Sequence, residues 1–276
     1  MLSQRDKGAA FVALHEREGA FVIPNPWDVG SARLLAHLGF EALATSSAGY
    51  AFSVGKADNF VGREAMMEHA ASLASATDLP ISIDLENGFG DSPEIVAETI
   101  RLAAATGAVG GSIEDATERP DDPIYERTLA VERIRAAADV VRNLDFPFLL
   151  TARAENYLNN RPDLNDTIER LQMYQEAGAD VLYAPGLRNL DDIATLVKSV
   201  DRPVNVLMGL QGVKLNVADL AAIGVKRISV GSGLARCAIS GFLHAAREIR
   251  EQGTLTFADE AMSYAEINSI FAGMKS

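Results

Sequence analysis

Short apolar runs alternate with amphipathic stretches along almost the whole chain. Ala20 to Ile23, Glu41 to Thr45, Ile81 to Ile83, Val109 to Ile113, Phe146 to Ala152, Val181 to Ala184, Val204 to Leu207 and Arg227 to Val230 have the length and composition of strands buried on both faces. Between them lie segments with helical spacing and helix punctuation. Asp28 to Leu38 closes on Gly39, Arg63 to Ala76 follows the second run, and Ser92-Pro93 opens a helix to Thr106. Val131 to Arg142 follows the fourth run, and later helices end in Glu176-Ala177-Gly178 and Ala222-Ile223-Gly224. Ahead of the first strand, Ser3 to Glu18 carries Phe11, Val12 and Leu14 on one side and predicts a helix covering one end of the core. Strand ends recur at intervals of roughly 20 to 40 residues. Eight β-then-α units predict an α/β fold, a closed (β/α)8 TIM barrel formed as one domain over residues 1–276, with 255–276 as a helical tail. An open doubly wound sheet is the alternative. It would carry a phosphate-binding glycine loop after its first strand, where this chain reads Asn25-Pro26-Trp27-Asp28.

In a barrel the chemistry gathers at the C-terminal ends of the strands. The third strand runs into Asp84-Leu85-Glu86-Asn87-Gly88-Phe89-Gly90-Asp91. Side chains alternate along a strand, so Asp84 and Glu86 are expected to point the same way. Two adjacent acids repel unless a cation lies between them, and hard oxygen donors suit Mg²⁺ or Mn²⁺. The plainer alternative is that Glu86 and Asp91 solvate a loop and cap the next helix. Other strand ends supply Ser46, Ser47 and Ala48, then Glu114 and Asp115, Arg153 and Glu155, Tyr183, and Asn205. Several carboxylates around one arginine point to a bound cation and an anionic ligand. Alternatively, Arg153 pairs with Glu155, Glu114 or Asp115 in an internal lattice.

Composition narrows the partners. A formal charge of −13 over 276 residues argues against nucleic acid and anionic membranes, both polyanions. No segment approaches the length of a membrane span, and Arg5-Asp6-Lys7 stand where a signal peptide would be apolar. The one cysteine, Cys237, fits a reducing cytoplasm and reads as a packing residue in a helix starting near Ser232. His15, His37, His69 and His244 all fall in predicted helices away from strand ends, giving no support to a histidine metal site or a serine-histidine triad. Gly231-Ser232-Gly233 before the last barrel helix is a weak phosphate-binding signal.

Taken in order, Ser46-Ser47-Ala48-Gly49, Asp58, Asp84 to Gly90, Gly111-Ser112-Ile113-Glu114-Asp115 and Thr151-Ala152-Arg153-Ala154-Glu155 resemble the successive motifs of the isocitrate lyase and phosphoenolpyruvate mutase superfamily. The likeness continues through Ala177-Gly178-Ala179-Asp180 and Pro203-Val204-Asn205-Val206. It implies Mg²⁺ dependence, with Mn²⁺ as a substitute, and a small 2-oxo or 2-hydroxy carboxylate substrate in which a C–C or P–C bond is cleaved or formed. By that resemblance Asp84, Glu86 and Glu114 surround the metal, and Arg153 with Ser46, Ser47 and Ala48 holds the substrate carboxylate. Asn205 is a further substrate contact, and Asp58, Arg153 and Glu114 are the expected catalytic residues. It also implies a homo-oligomer, dimer or tetramer, whose last helix exchanges between subunits. The spacing of Met262, Tyr264, Ile267, Ile270 and Phe271 by itself predicts only a helix packed on its own barrel.

The chain departs from the best-known branches after strand four. It reads Ala116-Thr117-Glu118-Arg119-Pro120-Asp121-Asp122-Pro123-Ile124-Tyr125-Glu126-Arg127, without the cysteine-bearing loop of the isocitrate-cleaving lyases or the lysine-asparagine-serine loop of the mutase branch. The expected activity is therefore a simpler Mg²⁺-dependent lyase reaction through an enolate, such as oxaloacetate decarboxylation or retro-aldol cleavage. P–C bond chemistry on a phosphonate and a barrel that binds carboxylates without catalysis are the alternatives. Tyr50, Lys56, Tyr125 and Glu155 are candidate proton carriers, and residues 117–127 are either a lid or a solvated connector.

Overall fold

Eight short parallel strands, interleaved with helices, carry the fold; the computed structural model describes residues 2–273. The strands are β1 (Phe21–Ile23), β2 (Leu43–Ala44), β3 (Ile81–Asp84), β4 (Gly110–Glu114), β5 (Leu149–Arg153), β6 (Val181–Tyr183), β7 (Val204–Leu207) and β8 (Arg227–Ser229). Around them lie α1 (Gln4–Glu16), α2 (Val29–His37), α3 (Ser47–Ser53), α4 (Arg63–Ala74), α5 (Pro93–Ala105), α6 (Arg127–Arg142), α7 (Leu164–Ala177), α8 (Leu190–Lys198), α9 (Val217–Ala222), α10 (Gly233–Gln252) and α11 (Tyr264–Gly273). The strand order β1-β8-β7-β6-β5-β4-β3-β2 brings the two ends of the sheet together. At that seam the Ala44 amide donates to the Pro24 carbonyl over 3.1 Å. Asn25 stitches the seam further: its Nδ2 donates to the Thr45 carbonyl, while its Oδ1 accepts from the Val230 and Gly231 amides, each over 2.9 Å. The structure is the (β/α)8 barrel that the alternation predicts.

Local chemistry sets the element ends. Asp28 and Ser31 form a reciprocal capping box at the start of α2, and Ser92 caps α5 ahead of Pro93 at its first position. α7 stops at Gly178, whose φ of 111° suits glycine, and a Cβ there would lie 2.8 Å from that of Ala138. Between β2 and α4 the chain forms a further short helix, α3. Ser46 caps it, its Oγ accepting from the Gly49 amide over 3.1 Å.

Two apolar regions hold the barrel, and they leave room for a polar one. Outward-facing Leu43, Ile83, Ile113, Leu150, Leu182 and Ile228 bury against Met66, Leu73, Ile100, Ile134 and Leu171 of the helices. Burying each such side chain stabilises the fold by about 1.5–3 kcal/mol. Inside the barrel, α1 drives Phe11 into the N-terminal end, where it meets Leu14, Phe21, Ile23, Ala42 and Val109. Gly110 makes way for it, since a Cβ there would sit 2.9 Å from the Phe11 ring. Above this plug the inward positions are Ser82, Ser112, Asn205, Arg227 and Ser229, all buried, with Thr151 beside them. Barrels ordinarily fill these layers with branched apolar residues. Here they line a polar shaft.

At the C-terminal end, Ala235 and Glu248 are the buried residues of α10, and α11 buries none. Cys237 is exposed, contrary to its expected packing role, because most of α10 lies uncovered; Phe242 on the same helix is 70% exposed. The end of the expected tail, residues 274–276, lies outside the described residues. Among the described residues no helix is long and apolar enough to cross a membrane.

The four histidines lie in α1, α2, α4 and α10, as the sequence predicts. His15 is buried with Nδ1 2.8 Å from the Phe11 carbonyl, and His69 stacks on Tyr50 at 3.8 Å; neither Nε2 has a partner. Burial lowers their pKa values from 6.5 to about 3 for His15 and about 4 for His69. The unfolded chain therefore binds protons that the fold refuses once the pH drops below about 6.5. Stability falls with falling pH there, by up to about 1.4 kcal/mol per pH unit for each group. The melting temperature is expected to drop between pH 7 and 5, and His15→Gln with His69→Gln should flatten that dependence; an unchanged slope in the double variant would refute the assignment.

Candidate active site at the barrel mouth

The shaft opens at the C-terminal ends of the strands into a cavity of about 180 Å³. Ser46, Ser47, Ala48, Asp58, Asp84, Arg153 and Asn205, all expected site residues, line it, as do Tyr183, Arg227, Ser229 and Ser232. Glu86 and Glu114 do not. Glu86 faces a neighbouring cleft with Glu118 and Phe89, and Glu114 lies behind Arg153.

The β3 end explains the divergence of Asp84 and Glu86. The strand stops at Asp84, and Glu86 adopts a φ of 50°, so strand alternation no longer sets its direction. The loop that follows is pinned. Arg133 of α6 donates to the carbonyls of Asn87, Gly90 and Asp91, and Thr99 Oγ1 donates to the Gly88 carbonyl over 2.8 Å. Ser47 fixes Asp84 from the other side, its amide and hydroxyl donating to Oδ2 over 3.2 and 3.0 Å.

At the centre sits Arg153. Its Nη1 lies 2.9 Å from Asp84 Oδ1, its Nη2 2.9 Å from Glu114 Oε2 and 2.8 Å from Glu155 Oε1, and its Nε donates to the same Glu155 oxygen over 2.9 Å. The internal lattice and the expected carboxylate cluster are thus one object. Burial opposes charge on Arg153, but Glu114, Glu155 and Asp84 outweigh it and hold its pKa well above the ordinary value. One cation does not balance three buried acids: burial pushes Glu114 and Glu155 up despite their shared partner.

A second group of acids, Glu86, Asp58 and Glu118, makes no salt bridge among the described residues, and Arg153 only partly offsets the charge of Glu86 and Asp58. Burial, then the charges of Asp84, Glu118 and Asp58, pushes Glu86 up to about 8, and its buried Oε1 has no partner. Among the described residues no three side chains form a ready-made metal cage. The donor set is nonetheless oxygen only, of one sign, and includes an orphaned carboxylate oxygen. This suits a hard divalent ion that keeps most of its waters and takes one or two protein carboxylates.

Other expected residues serve the frame. Asp115 turns away from the cavity and is held by the Glu155 amide (2.8 Å), Arg170 (3.0 Å) and the Tyr174 hydroxyl (2.6 Å). Tyr125 donates to Asp91 over 2.6 Å and packs beneath Arg133 at 4.0 Å. Tyr50, Lys56, Tyr125 and Glu155 all lie outside the cavity lining, so none is placed as a proton carrier by proximity. Residues 117–127 form a closed loop, bridged at Ala116 and Ile124 and tied by Arg119 to Asp91 at 3.0 Å. Its Glu118 shares the Glu86 cleft, which sequence reasoning missed for want of any signal but the charge itself. The amide of Gly231 is taken by Asn25 and that of Gly233 by the Val230 carbonyl, which removes two donors from the suspected phosphate loop.

Fold and cavity together define a (β/α)8-barrel enzyme with its acids and cations at the strand ends. A family model described as phosphoenolpyruvate phosphomutase matches residues 11–250, and the chain belongs to that family, as an enzyme of the isocitrate lyase/PEP mutase type. A crystal structure of a candidate lyase/mutase from Burkholderia cenocepacia is 61% identical, covers 98% of this chain and 97% of its own, and superposes with a TM-score of 0.96. An uncharacterised protein of Mycobacterium tuberculosis is 33% identical over 94% of this chain and 95% of its own. The 2-methylisocitrate lyase of Escherichia coli is 30% identical over 74% of this chain and 70% of its own.

Replacing Arg153 by methionine strands three buried carboxylates. Denaturant unfolding at pH 8 should show a loss of about 3–5 kcal/mol. Without the guanidinium the folded acids bind protons more readily than the unfolded chain, so the variant should regain stability as the pH falls from 8 to 6. A variant as stable as the parent at pH 8 would show that the lattice does not depend on this charge.

Proposed function

We propose that this protein is a Mg²⁺-dependent lyase that cleaves a C–C bond in a small 2-oxo or 2-hydroxy dicarboxylate, with oxaloacetate-like acids as the substrate class. The observation that carries the reading is Glu86, whose buried Oε1 has no partner, in a cleft beside Asp84 and the small cavity that Asp84 lines together with guanidinium and hydroxyl groups. The family relationship to a 2-methylisocitrate lyase supports the reaction class. The cavity is small and polar, which suits a compact carboxylate.

In this reading Asp84 and Glu86 hold the ion, with Glu114, Asp58 and Glu118 acting through water. Bound Mg²⁺ supplies Lewis-acid stabilisation of the negative charge that develops on the oxygen beside the breaking bond. Ser47 keeps Asp84 oriented, so that its Oδ1 faces the interior. Arg153 lines the cavity and would hold the plane of the substrate carboxylate. Tyr183 lines the cavity with a hydroxyl whose pKa burial pushes up to about 12, so it keeps its proton at neutral pH, and in this reading it returns one to carbon. The exposed apolar side chains of α10, among them Ile239, Phe242 and Leu243, fit a homodimer or homotetramer in which this helix is covered.

The test is a panel of oxaloacetate, isocitrate, 2-methylisocitrate, 4-hydroxy-2-oxo acids and phosphonopyruvate, each with Mg²⁺ and with chelator. Mg²⁺-dependent release of pyruvate or glyoxylate is expected, abolished in Asp84→Ala. Phosphate release from phosphonopyruvate, or full turnover by Asp84→Ala, would defeat the proposal. On the substrate that responds, Tyr183→Phe should lower kcat about 10²-fold with little change in KM; an unchanged kcat would remove the proton role from Tyr183.

A further inference from the structure

Four arginines of this barrel are almost wholly buried, and three of them are accounted for. Arg153 is ringed by carboxylates, Arg170 pairs with Asp115 and Asp166 at 3.0 and 2.9 Å, and Arg133 is spent on backbone carbonyls. Arg227 is different. It is 4% exposed, and its partners are neutral: Nε donates to Asn205 Oδ1 over 2.9 Å, Nη2 donates to Thr151 Oγ1 over 3.0 Å, and Nη1 has no partner. Burial lowers its pKa to about 10, so at neutral pH it remains a cation. A guanidinium held in a protein interior without a counter-charge is unfavourable, and an apolar side chain of like volume would be preferred there unless an anion arrives.

The position gives the charge a use. Arg227 opens β8, in register with Asn205 of β7, and points into the barrel two residues before Ser229. All three line the cavity whose mouth holds Asp84 and Arg153. The floor is thus a fixed cation with donor capacity to spare, held by an amide and a hydroxyl, while the cation at the mouth already carries three acids. Apolar Phe11 and Phe21 lie below it, so no acid from the plug reaches Arg227.

We propose that Arg227 is the receptor for the second carboxylate of the substrate, selecting dicarboxylates that reach down the shaft over monocarboxylates that occupy only the mouth. This rests on the reading of the mouth as the reacting end. It makes Arg227 a substrate-binding residue, oriented by Asn205 and Thr151.

Calorimetry with inert probes tests it without turnover. In saturating Mg²⁺, succinate is expected to bind the native protein at least tenfold more tightly than butyrate, which has the same length and one carboxylate fewer. Arg227→Met should erase that preference while melting at the same or a higher temperature, because it removes a buried unpaired charge. A merely structural arginine would give the opposite pair, a lower melting temperature with the preference intact. Should the methionine variant fail to fold, Arg227→Lys keeps the charge but loses the fork, and should weaken succinate at least threefold relative to butyrate. Equal affinities for succinate and butyrate in the native protein, or an undiminished preference in a folded Arg227 variant, would overturn the proposal. Failure of the lyase reading looks different: the preference survives and the substrate panel stays silent.

Discussion

The Arg153 guanidinium is the interaction on which the mouth depends. Strand β5 delivers it, β3 and β4 deliver Asp84 and Glu114, and the turn after β5 delivers Glu155. None of these acids is tolerable at its depth without the cation, and the cation would be costly there without them. The strand ends are thereby held in mutual register by charge as well as by the backbone ladder, in which Glu114 pairs directly with Arg153. Yet the balance is incomplete, since three acids share one positive group and Glu86 makes no ion pair. Burial raises the pKa values of Glu86, Glu114 and Glu155, so protons or a further cation must balance the excess.

The surrounding side chains orient these acids without adding a second counter-charge. Ser47 occupies Asp84 Oδ2 and fixes the carboxylate, and Arg133, reaching from α6, takes three carbonyls of the Asn87–Asp91 turn without approaching Glu86 as a counter-ion. Residues Glu86 and Phe89 adopt positive φ, a conformation that side-chain-bearing residues rarely accept without cause. The loop is thus strained, pinned and acidic at once. Asp115 and Arg170 form a separate, fully satisfied knot behind it, which carries the frame and leaves the mouth free for chemistry.

The barrel was legible because buried parallel strands and amphipathic helices have different periods, and because caps such as Asp28, Ser92 and Gly178 mark their junctions. Reading strand ends in order also gathered Ser46, Ser47, Ala48, Asp58, Asp84, Arg153 and Asn205, all of which line the cavity. The failures have specific causes. Alternation could not direct Glu86, because the strand ends two residues earlier; Asp115 looked like a site acid because its partners Arg170 and Tyr174 lie on a helix more than fifty residues away. Cys237 read as buried because α10 has an apolar face, and that face is uncovered in a single chain. Arg227 was invisible for a simpler reason: a lone arginine opening a strand resembles a solvated strand end, and only the closure of the barrel puts it inside.

Closure also changes what the interior can be. A (β/α)8 barrel normally gains stability from branched apolar layers along its axis. This one confines that role to the Phe11 plug and the helix layer, and gives up the middle of the axis to Ser82, Ser112, Asn205, Arg227 and Ser229. Each buried polar group must be satisfied or cost stability. Most are satisfied within the wall, as Asn205 is by Ser229 and Arg227. Among the ionisable groups beside the site two are not, Glu86 Oε1 in the cleft next to the mouth and Arg227 Nη1 at the floor of the shaft. On the proposed reading, a metal-bound dicarboxylate would bring a cation to the first and a carboxylate to the second.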